Sequence, residues 1–266
     1  MSRVLITGAA SGLGAALADA FEARGDEVLR TDVVGLDTPS LVPRDGYSTS
    51  EILRLDITSE DDWAAALAHV EETWGGLEVL VNNAGVAGGG RLDVAGLDEW
   101  QWIFDINLFG AVRGTRTFVP LFKRQRSGRI VNVASLAGLV HPAGMASYNA
   151  VKAAVVALTE TTGHELAAYG VTAHVVCPSY FRTNLMSSIR GADTALAGVM
   201  SRLVDESPVS AADIAAAVLD GLDRGDEVIL PDPAGRAAYG LKQADRATYD
   251  VVMRDQARKL DEGAQG

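Results

Sequence analysis

Residues 3–14 read RVLITGAASGLG. An apolar, strand-like run, Arg3–Ile6, gives way to the turn Thr7-Gly8-Ala9-Ala10-Ser11-Gly12-Leu13-Gly14, which opens a helix over Leu13–Arg24. Glycines at Gly8, Gly12 and Gly14 let backbone approach a bulky anionic group closely. The start of the helix supplies free N–H groups and a dipole that favours negative charge. A strand, a glycine turn and a helix in that order predict a dinucleotide-binding unit, with Ser11 and Leu13 as further contacts. The spacing is G-x-x-x-G-x-G, which differs from the commoner G-x-G-x-x-G fingerprint. No Gly-Lys-Ser/Thr follows, which argues against an NTP-binding loop. The competing reading is a turn rich in glycine only so that strand and helix can pack.

Outward from that turn, strand-like runs alternate with helix-period segments. The strands read as Arg3–Ile6, Glu27–Thr31, Glu51–Leu55, Glu78–Asn82, Arg129–Ala134, Thr172–Cys177 and Glu227–Leu230. Short continuous Val/Ile/Leu runs are what a parallel sheet buried on both faces needs. Amphipathic stretches lie between them, at Glu60–Trp74, Leu97–Arg126, Ala146–Tyr169 and Ala211–Asp223. Alternation of this kind predicts an α/β, doubly wound parallel sheet in a single domain over residues 1–232. Residues 233–266 are then a helical extension of the same domain. Gly35–Ser50, rich in Pro, Gly and Ser, reads as an irregular loop.

Composition narrows the function. The net charge of −12 argues against nucleic acid or an anionic membrane surface as partner. The single cysteine, Cys177, precludes an internal disulfide and fits a reducing compartment. The opening MSRVLITGAAS has no long apolar segment of the signal-peptide kind, and no apolar run approaches the ~18 residues of a membrane span. A cytoplasmic protein is expected. Without a Cys/His cluster there is no metal site to predict.

Three strand ends after the first carry polar residues suited to a dinucleotide. Asp32 closes the second strand; a carboxylate there accepts hydrogen bonds from the ribose hydroxyls of NAD and repels the 2′-phosphate of NADP. Arg30, on the same strand face by alternation, is the nearby cation that weakens this argument, and a plain loop carboxylate is the alternative. Asp56 and Ile57 follow the third strand, where they suit an adenine amino group and ring, although Asp56 also reads as a polar strand end. Ser59 and Asp62 form a helix N-cap signature. Asn83, Ala84 and Gly85 follow the fourth strand, small enough for a cofactor to pass.

Ser135, Tyr148 and Lys152 bring chemistry. Tyr148 and Lys152 are four apart in a helical run and share one face. A phenol ionises near pKa ~10, too high for a general base at neutral pH. A cation one helical turn away is expected to lower it. Ser135, after the run RIVNVA, can hold a carbonyl or alcohol oxygen beside the phenol. Asn107 sits inside a helix, as packing or as a polar group facing the cleft.

With these residues in order, the chain resembles the short-chain dehydrogenase/reductase family. The matching positions are Thr7 to Gly14, Asn82 to Gly85, Asn107, Ser135, and Tyr148 with Lys152, over roughly residues 3–231. The resemblance implies a Rossmann-type sheet of seven strands in the order 3-2-1-4-5-6-7. It makes Tyr148 the general acid/base and Ser135 the group orienting the reacting oxygen. It makes Lys152 the residue that binds the nicotinamide ribose and lowers the Tyr148 pKa. Asn107 would hold a water of the proton relay, and Pro178 and Thr183 would contact the nicotinamide. Dimers or tetramers are implied through the helices carrying Asn107 and Tyr148.

Two features depart from the family pattern: Ser179 replaces the usual glycine after Pro178, and the Asp-Gly-Gly ending is missing, which puts the common tetramer contact in doubt. The tail Ala234–Leu260 is helix-prone and could cover the substrate mouth, pack on a neighbouring subunit or lie on the surface. Residues 180–210 should form a substrate lid, with Leu196, Val199, Met200 and Leu203 on one helix face. His141 reads as a loop residue and Cys177 as structural.

The activity expected is NAD-dependent interconversion of a moderately apolar secondary alcohol and its ketone. The rivals are an NADPH-dependent carbonyl reductase and a dinucleotide-sensing protein without turnover.

Overall fold

The computed structural model describes residues 1–33 and 52–264. The expected loop Gly35–Ser50 lies outside the described residues. Seven parallel strands form one sheet in the order β3-β2-β1-β4-β5-β6-β7, as the family resemblance implied. They are β1 (Arg3–Thr7), β2 (Glu27–Asp32), β3 (Ile52–Arg54), β4 (Val79–Asn82), β5 (Gly128–Val133), β6 (Val171–Val176) and β7 (Val228–Ile229). The chain winds one way from β1 to β3 and the other way from β4 to β7. The crevice between β1 and β4 is therefore the switch point, where doubly wound sheets bind ligands.

Period-two alternation sorts the core. Val4 and Ile6 face α1 (Gly12–Ala23) and α8 (Ala211–Arg224), where they pack with Leu17, Phe21, Ile214 and Val218. Leu5 faces the other way, with Leu80 and Ile130, onto Trp63 of α2 (Glu60–Trp74) and onto Phe118 and Phe122 of α4 (Gly110–Gln125). Both faces of the sheet are covered, and that is why its strands read as continuous apolar runs.

Local signals set several boundaries. The Ser59 hydroxyl accepts from the Asp62 N–H at the start of α2, and Gly75 closes that helix in the left-handed region. The stretch Leu97–Arg126 is not one uniform helix. It divides into α3 (Leu97–Phe104), a π turn (Asp105–Phe109) and α4. The extra residue in the π turn shifts the hydrogen-bond ladder and buries Asn107. The tail forms two helices, α9 (Pro233–Ala244) and α10 (Arg246–Ala264). Between α4 and α9 run α5 (Ala137–Val140), α6 (Ala146–Leu166), α7 (Thr194–Asp205) and α8.

A polar ladder crosses the apolar core. Asn82 donates to Asn132 Oδ1 at 2.8 Å, and Asn132 donates to Thr159 Oγ1 at 2.9 Å, which joins β4, β5 and α6. Asn132 is fully buried, so removing its amide leaves partners unsatisfied. Asn132→Leu is expected to destabilise the fold by about 2–3 kcal/mol, read as a lower urea midpoint with an unchanged slope.

Candidate active site

The first turn is built as its glycines suggest. Gly8 and Gly12 adopt positive φ, at 67° and 57°. A Cβ on Gly14 would lie 2.1 Å from the Gly8 carbonyl oxygen. Ser11 is the N-cap of α1, but its side chain makes no capping hydrogen bond, so the first helical N–H groups remain available to an anion. Thr7 Oγ1 accepts from the N–H groups of Asn83 and Ala84, each at 3.0 Å. The Asn83 amide donates to the Thr7 carbonyl at 2.8 Å. This clasp fixes the ends of β1 and β4 beside each other.

Asp32 faces the turn from the end of β2, with Oδ2 accepting from the Ala10 N–H at 3.0 Å. Arg30 is turned away from the site: its guanidinium binds Asp19 and Glu22 of α1, the latter at 2.8 Å. Asp56 Oδ1 accepts from the Thr58 N–H and hydroxyl, at 2.9 and 2.7 Å. Burial pushes the Asp56 carboxyl up, but the Thr58 hydrogen bonds, together with Arg54 and Arg113, outweigh it and leave the pKa lowered.

The chemistry-bearing residues converge at the ends of β5 and β6. Ser135 follows β5, and its Oγ accepts from the Ala137 N–H at 3.2 Å. Its hydroxyl is also hydrogen-bonded to Tyr148 of α6. Lys152 donates to the Val133 carbonyl at 3.1 Å, with its Nζ 5.7 Å from the centre of the Tyr148 ring. Tyr148 and Lys152 are 8% and 6% exposed. Burial pushes the Tyr148 phenol up to about 12, against the lowering effect of the Ser135 bond. This reverses the expected direction. The ammonium was expected to dominate, but it points at a backbone carbonyl, while desolvation of the phenolate is the larger effect. Burial likewise pushes Lys152 down to about 8.

One cavity of about 1200 Å³ joins the glycine turn, Asp32, Asp56, Ser135, Tyr148 and Lys152. Of the candidate catalytic and cofactor-binding residues, all line it except Gly14 and Asn107. Gly14 is pressed against the Gly8 carbonyl. Asn107 lies behind the wall, its amide accepting from the Val86 N–H at 2.8 Å and donating to the Val86 carbonyl at 3.0 Å. His141 is not among the lining residues; its ring meets the Gly138 carbonyl and Lys242. Cys177 is fully buried, and burial pushes its thiol up to about 12. Among the described residues no cluster of His, Cys, Asp and Glu is arranged to hold a metal ion, and no helix is long and apolar enough to cross a membrane.

The far end of the cavity is apolar: the α7 face Leu196, Val199, Met200 and Leu203 expected of the lid lines it, and so does α10, whose place was left open. Leu196 and Met200 of α7 face it, with Met145 beside them. Tyr249, Met253 and Leu260 of α10 close it. The Tyr249 hydroxyl donates to the Val140 carbonyl, and Lys242 of α9 donates to the Leu139 carbonyl. Asp232, the N-cap of α9, accepts from the N–H groups of Ser179 and Gly235 at 2.8 and 2.7 Å. The tail thus covers one end of the cavity. The spacing of Tyr249, Met253 and Leu260, at one helix face, was the available signal.

Comparison with known proteins agrees with this arrangement. The model of the short chain dehydrogenase family matches residues 2–194. A "CLA biosynthesis dehydrogenase/reductase" of Lactiplantibacillus plantarum is 35% identical over 68% of this chain and 65% of its own length. A "2-(R)-hydroxypropyl-CoM dehydrogenase" of Xanthobacter autotrophicus is 33% identical over 82% of this chain and 90% of its own. Among solved structures, a short chain dehydrogenase/reductase from Burkholderia phymatum in complex with NAD superposes with a TM-score of 0.82, at 30% identity over 92% of this chain and 93% of that one. A short chain dehydrogenase from Burkholderia cenocepacia in complex with NADP gives 0.78, at 26% identity over 95% and 97%.

Burying the Lys152 ammonium has a stability cost. Its native pKa of about 8 lies below the ordinary 10.5, so the unfolded chain binds more protons between those values and stability rises with pH there. Below pH 8 the cost is fully present. Lys152→Met is expected to stabilise the cofactor-free protein by about 2 kcal/mol at pH 7, in denaturant titrations. The difference from wild type should narrow by pH 10.

Proposed function

This chain belongs to the short-chain dehydrogenase/reductase family, oxidoreductases that act on alcohol- or ketone-type substrates with a nicotinamide dinucleotide, and on that premise we propose that it interconverts an apolar secondary alcohol and its ketone with NAD. The observation carrying this reading is the single cavity with Ser135, Tyr148 and Lys152 at one end and the glycine turn with Asp32 at the other.

The residues present fit the dinucleotide. The turn from Gly8 to Leu13 would hold the pyrophosphate, Asp32 the adenosine ribose, and Lys152 the nicotinamide ribose. Thr183 and Pro178 would meet the nicotinamide, and Thr183 Oγ1 already lies against Gly12. When bound, the nicotinamide supplies the acceptor or donor of hydride.

The protein's own task is to hold the reacting oxygen and move one proton. In reduction, Tyr148 gives its phenolic proton to the carbonyl oxygen as the C–H bond forms; in oxidation, the phenolate takes the hydroxyl proton. Ser135 has one lone pair engaged by the Ala137 N–H, and its hydroxyl hydrogen, directed at Tyr148 in the free protein, would turn to the oxygen on which charge develops. The Lys152 ammonium stabilises the phenolate. Burial keeps Tyr148 protonated at neutral pH, the form from which a carbonyl oxygen would take its proton.

NAD is favoured over NADP because Asp32 would face a 2′-phosphate and Arg30 is held by Asp19 and Glu22. We expect kcat/KM at least about tenfold higher with NAD than with NADP, and Asp32→Ser to narrow that ratio by a similar factor. An NADP preference in the wild type would overturn the cofactor assignment and leave the proton chemistry intact.

Rates at 340 nm across ketones and secondary alcohols test the reaction itself. Tyr148→Phe should lower turnover by about 10²–10⁴-fold. Alcohol oxidation should climb about tenfold per pH unit below the Tyr148 pKa, since the base form is the minor species there. Full activity in Tyr148→Phe would refute the assignment of the acid/base.

A further inference from the structure

Tyr180 occupies the loop after β6, two residues beyond Pro178, and places a second phenol in the active-site cavity. Its backbone is pinned on both sides. The Tyr180 carbonyl accepts from the Ser207 hydroxyl at 2.9 Å, and the preceding Ser179 N–H donates to Asp232 at 2.8 Å. The ring is 36% exposed, and it lines the cavity. Its hydroxyl has one hydrogen-bond contact among the described residues, the Met145 thioether at 4.0 Å. A thioether is a weak acceptor. The two phenols are close enough that Tyr180 raises the Tyr148 pKa, and burial raises that of Tyr180 itself. Tyr180 is therefore a neutral donor at neutral pH.

Met145, beside this donor, packs in an apolar cluster with Leu196, Met200 and Leu260 that lines the same cavity. An apolar substrate entering the chamber strips water from the Tyr180 hydroxyl and offers nothing in return. A buried donor left unpaired is costly, so a substrate with no second acceptor is penalised, and one with an acceptor regains the bond.

We propose that Tyr180 donates a hydrogen bond to a second oxygen of the substrate, which is then an apolar ketone or alcohol bearing a further carbonyl or ester oxygen a few bonds from the reacting carbon. This rests on the oxidoreductase reading and adds to it a specificity-determining residue. Tyr180 takes no part in the proton transfer, so its effect depends on which substrate is offered.

Methyl 3-oxohexanoate and 4-octanone are matched probes that differ only in the ester oxygens. Wild-type enzyme should reduce the ester with the higher kcat/KM. Tyr180→Phe should lose about tenfold on the ester and stay within about twofold on 4-octanone. Equal losses on both probes, or none on the ester, would overturn the proposal. Calorimetric binding of both probes to the complex with reduced dinucleotide reads the contact independently of turnover. There, an ester affinity unchanged by Tyr180→Phe also overturns it. Failure of the oxidoreductase reading would show differently, as turnover of neither probe by the wild-type enzyme, with the calorimetric comparison still deciding the Tyr180 contact.

Discussion

The structure hangs on the hydrogen-bonded clasp between Thr7, Asn83 and Ala84. Two strands that leave in opposite winding directions, β1 and β4, must end beside each other for a crevice to exist. Thr7 Oγ1 accepts from two successive backbone N–H groups of the β4 exit, and the Asn83 amide returns a bond to the β1 exit. Gly8 belongs to the same constraint, since a Cβ there would lie 2.9 Å from the Ala84 Cα. The glycines thus serve the packing of β1 against α1 and β4 as well as the approach of a ligand. The two readings that the sequence set against each other describe one piece of geometry.

Downstream of the clasp, the site trades stability for chemistry. Lys152 is buried with the Val133 carbonyl oxygen as a hydrogen-bond partner, and Tyr148 is buried beside Ser135. Both groups are displaced toward their neutral forms by desolvation. Burying a charge on so little compensation is tolerated where the charge is used. The strength of any field that Lys152 exerts on a phenolate follows from the same dryness that makes the lysine costly.

The sheet, its winding and the polar end of the cavity were legible in the sequence, because each rests on local signals. Val/Ile/Leu runs mark buried strands, the glycine turn marks the crossover, and Tyr148 and Lys152 sit one helical turn apart. What was not legible depends on distant packing. The direction of the Tyr148 pKa shift follows from burial that no spacing reveals. The π turn at Asp105–Phe109 leaves the apolar pattern of the helix unbroken, so nothing local announced it. The fate of Arg30 was decided by Asp19 and Glu22, two carboxylates on the facing side of α1. Asp56 was half legible, since Asp-x-Thr at a strand end is a pattern in which the carboxylate binds the backbone two residues on.

The division of labour along the chain follows from these dependencies. The residues matched by the family, 2–194, contain the clasp, Tyr148 and Lys152, and the glycine turn with Asp32. Part of the substrate wall comes from beyond them, in Met200 of α7 and in Tyr249, Met253 and Leu260 of α10. That later wall is tied to the segment behind Ser135 through Tyr249 and Lys242, and to the β6 exit through Asp232. The β6 exit is also where Ser179 stands in place of the family's usual glycine, one residue before Tyr180. A side chain at 179 leaves the backbone less free than glycine would, and Asp232 fixes it further by accepting the Ser179 N–H. The departure from the family pattern and the added helices therefore act on one loop, the loop that carries the second phenol. The proposed proton chemistry rests on residues inside the matched region, while the cavity's far wall is drawn from both sides of its end, Met145 and Tyr180 before residue 194 and Met200, Tyr249, Met253 and Leu260 after it.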